Sequence, residues 1–196
     1  CGNGGVRTRK TNNMIIGITG TNGAGKGTIV DYLANTKGFA HYSVREFLIK
    51  EIEARGLPVE RPTMRQVANE LRKEHGPAYV VEQLLARAQT ETENVVVESI
   101  RTVGEAELLK SKGALLWAVN ADRKVRYERV LKRWSETDKV DFETFCIYED
   151  REMQSQEPWD MNVFSVMKMA DHIFTNDGTQ NDLFAQVEEA LNKALK

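Results

Sequence analysis

The sequence has little cysteine, little net charge and no long apolar run. Its 196 residues include two cysteines, Cys1 and Cys146, which are too few for the disulfide framework of a small secreted domain and match no metal-ligand spacing. The formal net charge of −2 gives no overall attraction to nucleic acid or to an anionic membrane. No run approaches the ~20 apolar residues that a membrane helix requires. We therefore expect a cytoplasmic protein that binds neither nucleic acid nor membranes.

The first thirteen residues differ in composition from the rest of the chain. They carry Arg7, Arg9 and Lys10 among Gly, Asn and Thr, without the apolar region of a signal peptide. We expect residues 1–13 to form a flexible tail that is neither a signal nor an anchor. Residues 14–196 have the length of one globular domain, and 41% of the whole sequence is hydrophobic, which suffices for a core.

A glycine-rich segment is the most informative part of the sequence. Residues 20–28 read GTNGAGKGT, after an apolar run at 14–18 and before an apolar-periodic segment, which predicts a strand, a loop and the start of a helix. Such a loop presents successive backbone N–H groups to a polyphosphate, and the N-terminus of the helix adds partial positive charge. The segment therefore predicts a binding site for ATP or GTP.

Within this loop, Lys26 is expected to reach the β- and γ-phosphates of the nucleotide. The general pattern has Ser or Thr directly after the lysine to bind Mg²⁺, whereas this chain has Gly27 there and a hydroxyl one residue later, on Thr28. The predicted nucleotide-binding residues of the loop are Asn22, Gly23, Ala24, Gly25, Lys26, Gly27 and Thr28.

Apolar strand patterns alternate with helical patterns along the rest of the chain. The predicted strands are residues 14–18, 39–42, 94–98, 114–119 and 172–175. The predicted helices are residues 28–35, 43–55, 63–75, 77–89, 102–112, 122–134 and 183–195. Capping boxes are predicted to begin helices at Thr63, with Gln66, and at Thr102, with Glu105. This alternation predicts an α/β fold: a five-stranded parallel sheet with helices on both faces, in three layers.

Two segments fall outside this alternation. The helices between the second and third strands form an arm, at about residues 44–90. The polar stretch from Ser135 to Met169 has weak periodicity and contains Pro158, which is typical of an inserted flap.

The carboxyl ends of parallel strands meet at the ligand-binding edge of the sheet, so the residues that follow each strand are candidates for function. Glu98 and Arg101 follow the third predicted strand. Glu98 could hold a water molecule on Mg²⁺, and Arg101 could grip a second phosphate with two hydrogen bonds. The alternative is a surface ion pair between them, which would contribute little.

Three arginines share one stripe of the helix after the fourth strand: Arg126, Arg129 and Arg133. Charged stripes are usually solvated helix faces, but phosphoryl transfer needs several cations around the migrating group, and this helix begins at the active edge.

The residues after the second strand are less informative. For Ser43 and Arg45, a helix cap and a solvated arginine are as good an explanation as contacts with an acceptor substrate. His41 and His75 have no carboxylate or cysteine at a telling spacing, and we expect them to be structural.

With these motifs, the chain resembles nucleoside monophosphate kinases of the adenylate-kinase type over residues 14–195. That family's loop reads G-x-P-G-x-G-K-G-T, and residues 20–28 match it except that Asn22 replaces the proline; Gly27 is normal there. The family's D-G-F-P-R-T resembles residues 98–102 and implies that Arg101 grips the acceptor phosphate. Its R-x-x-x-R resembles Arg129 and Arg133, and implies that they stack on the adenine and hold the transferring phosphoryl group.

The resemblance also implies roles at the edges of the site. Residues 134–157 would be a lid, with Arg151 as a second lid arginine at the acceptor. The family's S-T-G-D is similar to residues 43–46 and implies that Ser43 and Arg45 bind the acceptor, although Arg45 replaces a glycine.

Residues 170–178 are similar to the tail motif A-D-x-x-x-x-N-x-G of a mostly archaeal adenylate-kinase-like group, sometimes labelled dephospho-CoA kinase-like. This implies that Asn176 and Gly178 border the adenine. Dephospho-CoA kinases carry D-A-D after strand two, where this chain has His41-Tyr42-Ser43, which argues against that activity.

These features predict transfer of the γ-phosphoryl group of ATP to a nucleoside monophosphate, with ATP and Mg²⁺ as cofactors and Thr28 and Glu98 (through water) near the metal. One alternative is a hydroxyl acceptor such as dephospho-CoA, with Glu98 as the general base. Another is a nucleotide-dependent switch without metabolic turnover. The base and sugar of the acceptor, ATP versus GTP, and monomer versus homodimer stay open. The predicted catalytic cations are Lys26, Arg101, Arg129 and Arg133.

Overall fold

The computed structural model describes residues 13–88, 94–133 and 140–195. Its strands are β1 (Ile15–Gly20), β2 (Ala40–Ser43), β3 (Val95–Glu98), β4 (Leu115–Asn120) and β5 (His172–Thr175). They form one parallel sheet in the order β2-β3-β1-β4-β5. Because β1 lies in the middle, the loop that follows it has the ends of β3 and β4 on either side.

Helices cover both faces of this sheet and confirm the predicted three-layer α/β/α architecture. The helices are α1 (Lys26–Lys37), α2 (Val44–Ala54), α3 (Arg61–His75), α4 (Tyr79–Ala88), α5 (Val103–Ser111), α6 (Arg123–Arg133), α7 (Phe142–Met153), α8 (Val163–Lys168) and α9 (Gln180–Ala194). None of the helices in these described parts of the chain has the length and apolar composition needed to cross a bilayer.

Successive residues of β3 enter two separate cores, as the alternation of side chains along a strand requires. Val95 and Val97 pack with buried residues of α2, α3, α4 and α5. Val96 packs on the other face with residues of α1 and α9. The apolar run of the sequence is therefore a strand buried on both sides.

Helix starts differ from prediction by up to three residues: α9 begins at Gln180 and not at 183, α1 at Lys26 and not at 28, and α3 at Arg61 and not at 63. The physical reason is clearest at α3. The helix begins at Arg61, with Glu60 at its N-cap and Pro62 in its first turn; the capping box predicted at Thr63 is wrong. Proline is favoured in the first turn because the backbone N–H it lacks has no partner there. The capping box predicted at Thr102 is confirmed, with Glu105 as its partner.

Parts of three predicted segments lie outside the described residues. These are residues 1–12 of the tail, residues 89 and 90 at the end of the arm, and residues 134–139 at the start of the predicted lid. The described part of the lid segment contains α7.

A buried ion pair joins the arm to the loop after β3. Arg72 of α3 donates from Nη2 and Nε to Oε1 of Glu105, at 2.7 and 3.1 Å, and both residues are buried. The other carboxylate oxygen accepts from the backbone N–H groups of Arg101 and Thr102, at 2.8 and 3.1 Å. One carboxylate therefore fixes both the arm and the loop that carries Arg101.

Glu105→Ala should lower the free energy of unfolding by about 3–5 kcal/mol, because a buried guanidinium and two backbone N–H groups lose their acceptor. Urea unfolding of the whole chain measures this loss. The control is Glu189→Ala, which removes an exposed ion pair with Lys193 and should leave unfolding almost unchanged. Equal effects of the two substitutions would contradict the role given to Glu105.

Candidate active site

The glycine loop between β1 and α1 has the backbone that its sequence predicts. Gly20 and Gly25 have φ values of 134° and 104°, which residues with a Cβ rarely adopt. A Cβ on Gly20 would lie 2.1 Å from the carbonyl oxygen of Val119, and one on Gly25 would lie 2.2 Å from Nδ2 of Asn176. Both positions therefore need glycine for conformation and for space.

Asn176 holds this loop from the end of β5. Its side-chain Nδ2 donates to the backbone carbonyl oxygen of Ala24 at 2.8 Å, and its backbone carbonyl oxygen accepts from Nη1 of Arg129 at 2.8 Å. The buried Asn176 side chain thus supports the loop, while Gly178, which was also predicted to border the adenine, is exposed.

Lys26 lies at the N-terminus of α1 and is buried. Its Nζ donates to the carbonyl oxygens of Gly20 and Thr21, at 3.1 and 2.8 Å. Burial, together with the positive charge of Arg101, lowers the pKa of Lys26 to about 7. The ammonium is therefore near its titration point at neutral pH, where a bound anion would favour the charged form.

Two clefts meet at this lysine. The first, which we name the loop cleft, has a volume of about 330 Å³ and is lined by Gly23, Gly25, Gly27, Thr28, Asp31 and Arg129. The second, the arm cleft, has a volume of about 320 Å³ and reaches α2, α3 and α7. Lys26, Glu98 and Arg133 line both clefts. A group bound in one cleft would therefore lie next to a group bound in the other.

The arm cleft combines cationic side chains with an apolar surface. Besides Lys26 and Arg133, its cations are Arg45, Arg61, Arg72 and Arg101. Its apolar residues are Val44, Leu48, Met64 and Met161.

Glu98, at the end of β3, pairs with His41 of β2, with 3.3 Å between Oε2 and Nε2. Burial would raise the pKa of Glu98, but the hydrogen bond from His41 and the charge of Lys26 outweigh it and hold that pKa below its usual value. The same bond raises the pKa of His41. No sequence spacing indicated this carboxylate for His41, because it comes from the neighbouring strand and not from nearby sequence. That His41 is structural stays a prediction.

The backbone after Glu98 is strained. Ser99 is the one residue other than glycine with a positive φ, 74°, in the part of the chain that the structure describes, and it lines the arm cleft. Such strain often occurs at functional sites, where surrounding contacts enforce it.

Arg101 pairs with Glu152 of α7 and not with Glu98. The distance from its Nη1 to Oε2 of Glu152 is 3.1 Å, and Nη1 of Arg61 lies 3.0 Å from the other carboxylate oxygen. No local sequence pattern indicates Glu152 or Arg61, because a contact between α3 and α7 that is distant in sequence brings them together. Arg151, which was predicted to contact the acceptor, is exposed; its neighbour Glu152 lines the arm cleft.

The three arginines on one stripe of α6 have two kinds of contact. Arg129 and Arg133 line the loop cleft, and Nη2 of Arg133 donates to Oδ1 of Asn22 at 3.2 Å. Arg126 is buried and pairs with Glu149 of α7, so it joins the two helices.

The two candidate residues that follow β2, Ser43 and Arg45, have different environments. The Ser43 hydroxyl accepts from the backbone N–H of Glu46 at 3.2 Å, which is the helix-cap alternative. Arg45 is exposed and lines the arm cleft.

Three side chains with oxygen atoms suited to a cation line the loop cleft. Thr28, Asp31 and Glu98 line it with one hydroxyl and two carboxylates. No cluster of three or more His, Cys, Asp or Glu side chains suited to a metal occurs within residues 13–88, 94–133 and 140–195. The donor set fits Mg²⁺, which prefers oxygen, uses one or two carboxylates and completes its shell with water and substrate phosphates.

Comparison with known proteins gives a family. The model of a family described as AAA domain matches residues 16–159. A UPF0200 protein of Methanothermobacter thermautotrophicus is 30% identical over 185 residues, which cover 93% of this chain and 91% of the relative. A UPF0200 protein of Aeropyrum pernix is 28% identical over 94% of this chain and 95% of its own length.

Comparison with solved structures supports the fold. Shikimate kinase from Bacteroides thetaiotaomicron superposes with a TM-score of 0.58 at 16% identity, covering 91% of this chain and 98% of that one. A sugar kinase from Janibacter gives a TM-score of 0.55 at 15% identity, over 92% of this chain and 95% of its own. The fold is thus that of the P-loop kinases.

Lys26→Met should flatten the dependence of stability on pH. Between pH 7 and 10.5 the folded Lys26 is mostly neutral while the unfolded one is protonated, so the wild-type chain gains stability as pH rises through this window. Urea unfolding across the window should show a smaller slope for the variant than for wild type. Exposed Lys124→Met is the control for removing any lysine, and equal slopes for wild type and Lys26→Met would contradict the burial effect.

Proposed function

Because the chain belongs to the UPF0200 protein family and contains an AAA domain with a P-loop kinase fold, we propose that it transfers the γ-phosphoryl group of ATP to a nucleoside monophosphate. The observation that supports this most directly is the meeting of the two clefts at Lys26, Glu98 and Arg133. The triphosphate would lie in the loop cleft, and the acceptor in the arm cleft.

The composition of the arm cleft favours an anionic acceptor with an apolar part. Its volume of about 320 Å³ is at the lower end of small-molecule sites, roughly 300–1,000 Å³. Arg61 and Arg101 offer guanidinium groups to a phosphate, whereas Val44, Leu48 and Met64 offer a surface for a base. Arg72 also lines the cleft, and its buried Nη1 has no hydrogen-bond partner among the described residues.

The proposed chemistry requires cations and a dry site, and no covalent intermediate. Lys26 and Arg133 would neutralise charge on the transferring group, since each lines both clefts. Arg129, anchored on the carbonyl oxygen of Asn176, would hold the nucleotide. Fixed positive groups of this kind stabilise a transition state because they need no reorganisation during the reaction.

Thr28, Asp31 and Glu98 would hold Mg²⁺ directly or through water. When bound, the ion would supply positive charge that neutralises the charge developing on the transferring phosphoryl group. Asp31 joins the two predicted ligands because it lies one helical turn after Thr28.

The test is a panel of ribo- and deoxyribonucleoside monophosphates, with dephospho-CoA included, incubated with Mg·ATP and the purified protein. At least one monophosphate should yield a diphosphate, and Lys26→Ala should reduce its formation by about a hundredfold or more, because the variant loses the cation shared by the two clefts. A folded, ATP-binding protein that forms no diphosphate from any member would contradict the proposal. Nucleotide-dependent capture of a macromolecule, without turnover, would then favour a switch.

A hydroxyl acceptor is the second candidate, and the position of Glu98 favours it. Glu98 lines both clefts, and its lowered pKa keeps it ionised at neutral pH. A carboxylate in that position could accept the proton of a hydroxyl as phosphoryl transfer proceeds.

Glu98→Gln distinguishes the two candidates. It should lower transfer to a hydroxyl acceptor by about 10²–10⁴-fold, because the amide cannot take the proton. Most transfer to a monophosphate should persist, since a phosphate acceptor is already ionised and the amide oxygen of glutamine can still hold a water molecule of the metal ion. Initial rates with both acceptor types measure the difference, and equal loss with both would remove the case for Glu98 as a base.

A further inference from the structure

Glu152 has an unusual position for a carboxylate. It lies in a cleft lined by six cationic side chains and by one other carboxylate, that of Glu98, and it is mostly buried, with 17% of its side chain exposed. Each of its oxygens contacts a different guanidinium, Arg61 at 3.0 Å and Arg101 at 3.1 Å. The two arginines come from α3 and from the loop after β3, so the carboxylate is the group on which these separate elements converge.

This arrangement matches what an anionic substrate group would need. A phosphate presents two oxygens on one face and can accept one hydrogen bond from each of two guanidinium groups. Glu152 presents two oxygens to the same pair. Its charge also affects the pKa of Lys26, which places it close to the junction of the two clefts.

We propose that the Glu152 carboxylate occupies the binding place of the acceptor's anionic group. The anionic group binds to Arg61 and Arg101 by displacing the Glu152 carboxylate from them. The inference rests on the proposed function for the identity of the anion as the acceptor's phosphate. Glu152 then competes with the acceptor for Arg61 and Arg101. Anions that bind these arginines weakly cannot displace it, so Glu152 determines which acceptors bind.

Displacement does not require α7 to leave the arm. Asp160, which follows α7, pairs with Arg65 of α3 and accepts from Nδ2 of Asn69 at 3.0 Å. These contacts hold the segment on α3 while the Glu152 side chain rotates away. They also supply a matched control, because Asp160 forms the same kind of bridge to α3 but is not among the residues that line the arm cleft.

The experiment measures the affinity of the chain of residues 1–196 for inorganic phosphate by calorimetry, without nucleotide. Glu152→Gln should bind phosphate on the order of tenfold more tightly than wild type, because the competing charge is gone from a partly buried pair. Asp160→Asn should bind as wild type does. The tighter binding of phosphate should disappear when Arg101→Ala is added to Glu152→Gln. This loss would show that the phosphate binds at Arg101 and not at the glycine loop.

Two results would overturn the inference. One is unchanged phosphate affinity in Glu152→Gln. The other is an equal gain in Asp160→Asn, which would mean that loosening the bridge between α7 and α3 is the cause.

If Glu152→Gln does not fold, crystals of the wild-type protein grown in phosphate decide the question. Phosphate between Arg61 and Arg101 with Glu152 rotated away supports the inference. Glu152 still on both arginines, with or without phosphate nearby, overturns it. Neither experiment needs turnover, so a negative acceptor panel would overturn the proposed function without affecting this result.

Discussion

The arm cleft depends on one buried carboxylate, that of Glu105. One oxygen binds the guanidinium of Arg72 in α3, and the other binds the backbone N–H groups of Arg101 and Thr102. The same carboxylate completes the N-terminal capping box of α5. A local helix cap is thereby connected to a long-range ion pair. This connection fixes the distance between α3, which carries Arg61, and the loop after β3, which carries Arg101.

The contacts of Glu105 bring several positive charges close together, and these charges need compensation. Buried cations are costly unless a carboxylate or a ligand compensates them. Within the cleft, Glu98 and Glu152 supply that compensation, the first beside His41 and the second between two arginines. The low pKa of Lys26 is the part of the cost that stays uncompensated, and it is the part that a bound polyphosphate would remove.

Much of the fold could be predicted because its signals are local. The glycine loop, the apolar run of β3 and the capping box at Thr102 each specify a structure over a few residues, and each is confirmed. The predicted start of α3 was wrong by two residues because Pro62 and Thr63 both offer N-terminal signals, and the proline prevailed.

The candidate site could be predicted in part. Lys26, Glu98, Arg101 and Arg133 follow strands or a recognisable motif, and the structure places them around one junction. Their roles in catalysis remain predictions. The pairing of Arg101 with Glu152 could not be predicted, since no local pattern relates α7 to α3.

The sequence by itself determined the five strands, the helices that alternate with them, the glycine loop and the cations near it, because periodicity and turn chemistry act between near neighbours. Only the tertiary structure decided which charges meet. The partnership of Glu98 with His41 follows from the pairing of β2 with β3, and that of Arg61 with Glu152 from the docking of α7. Ion pairs form between groups close in space, and only the packing of the elements sets those distances.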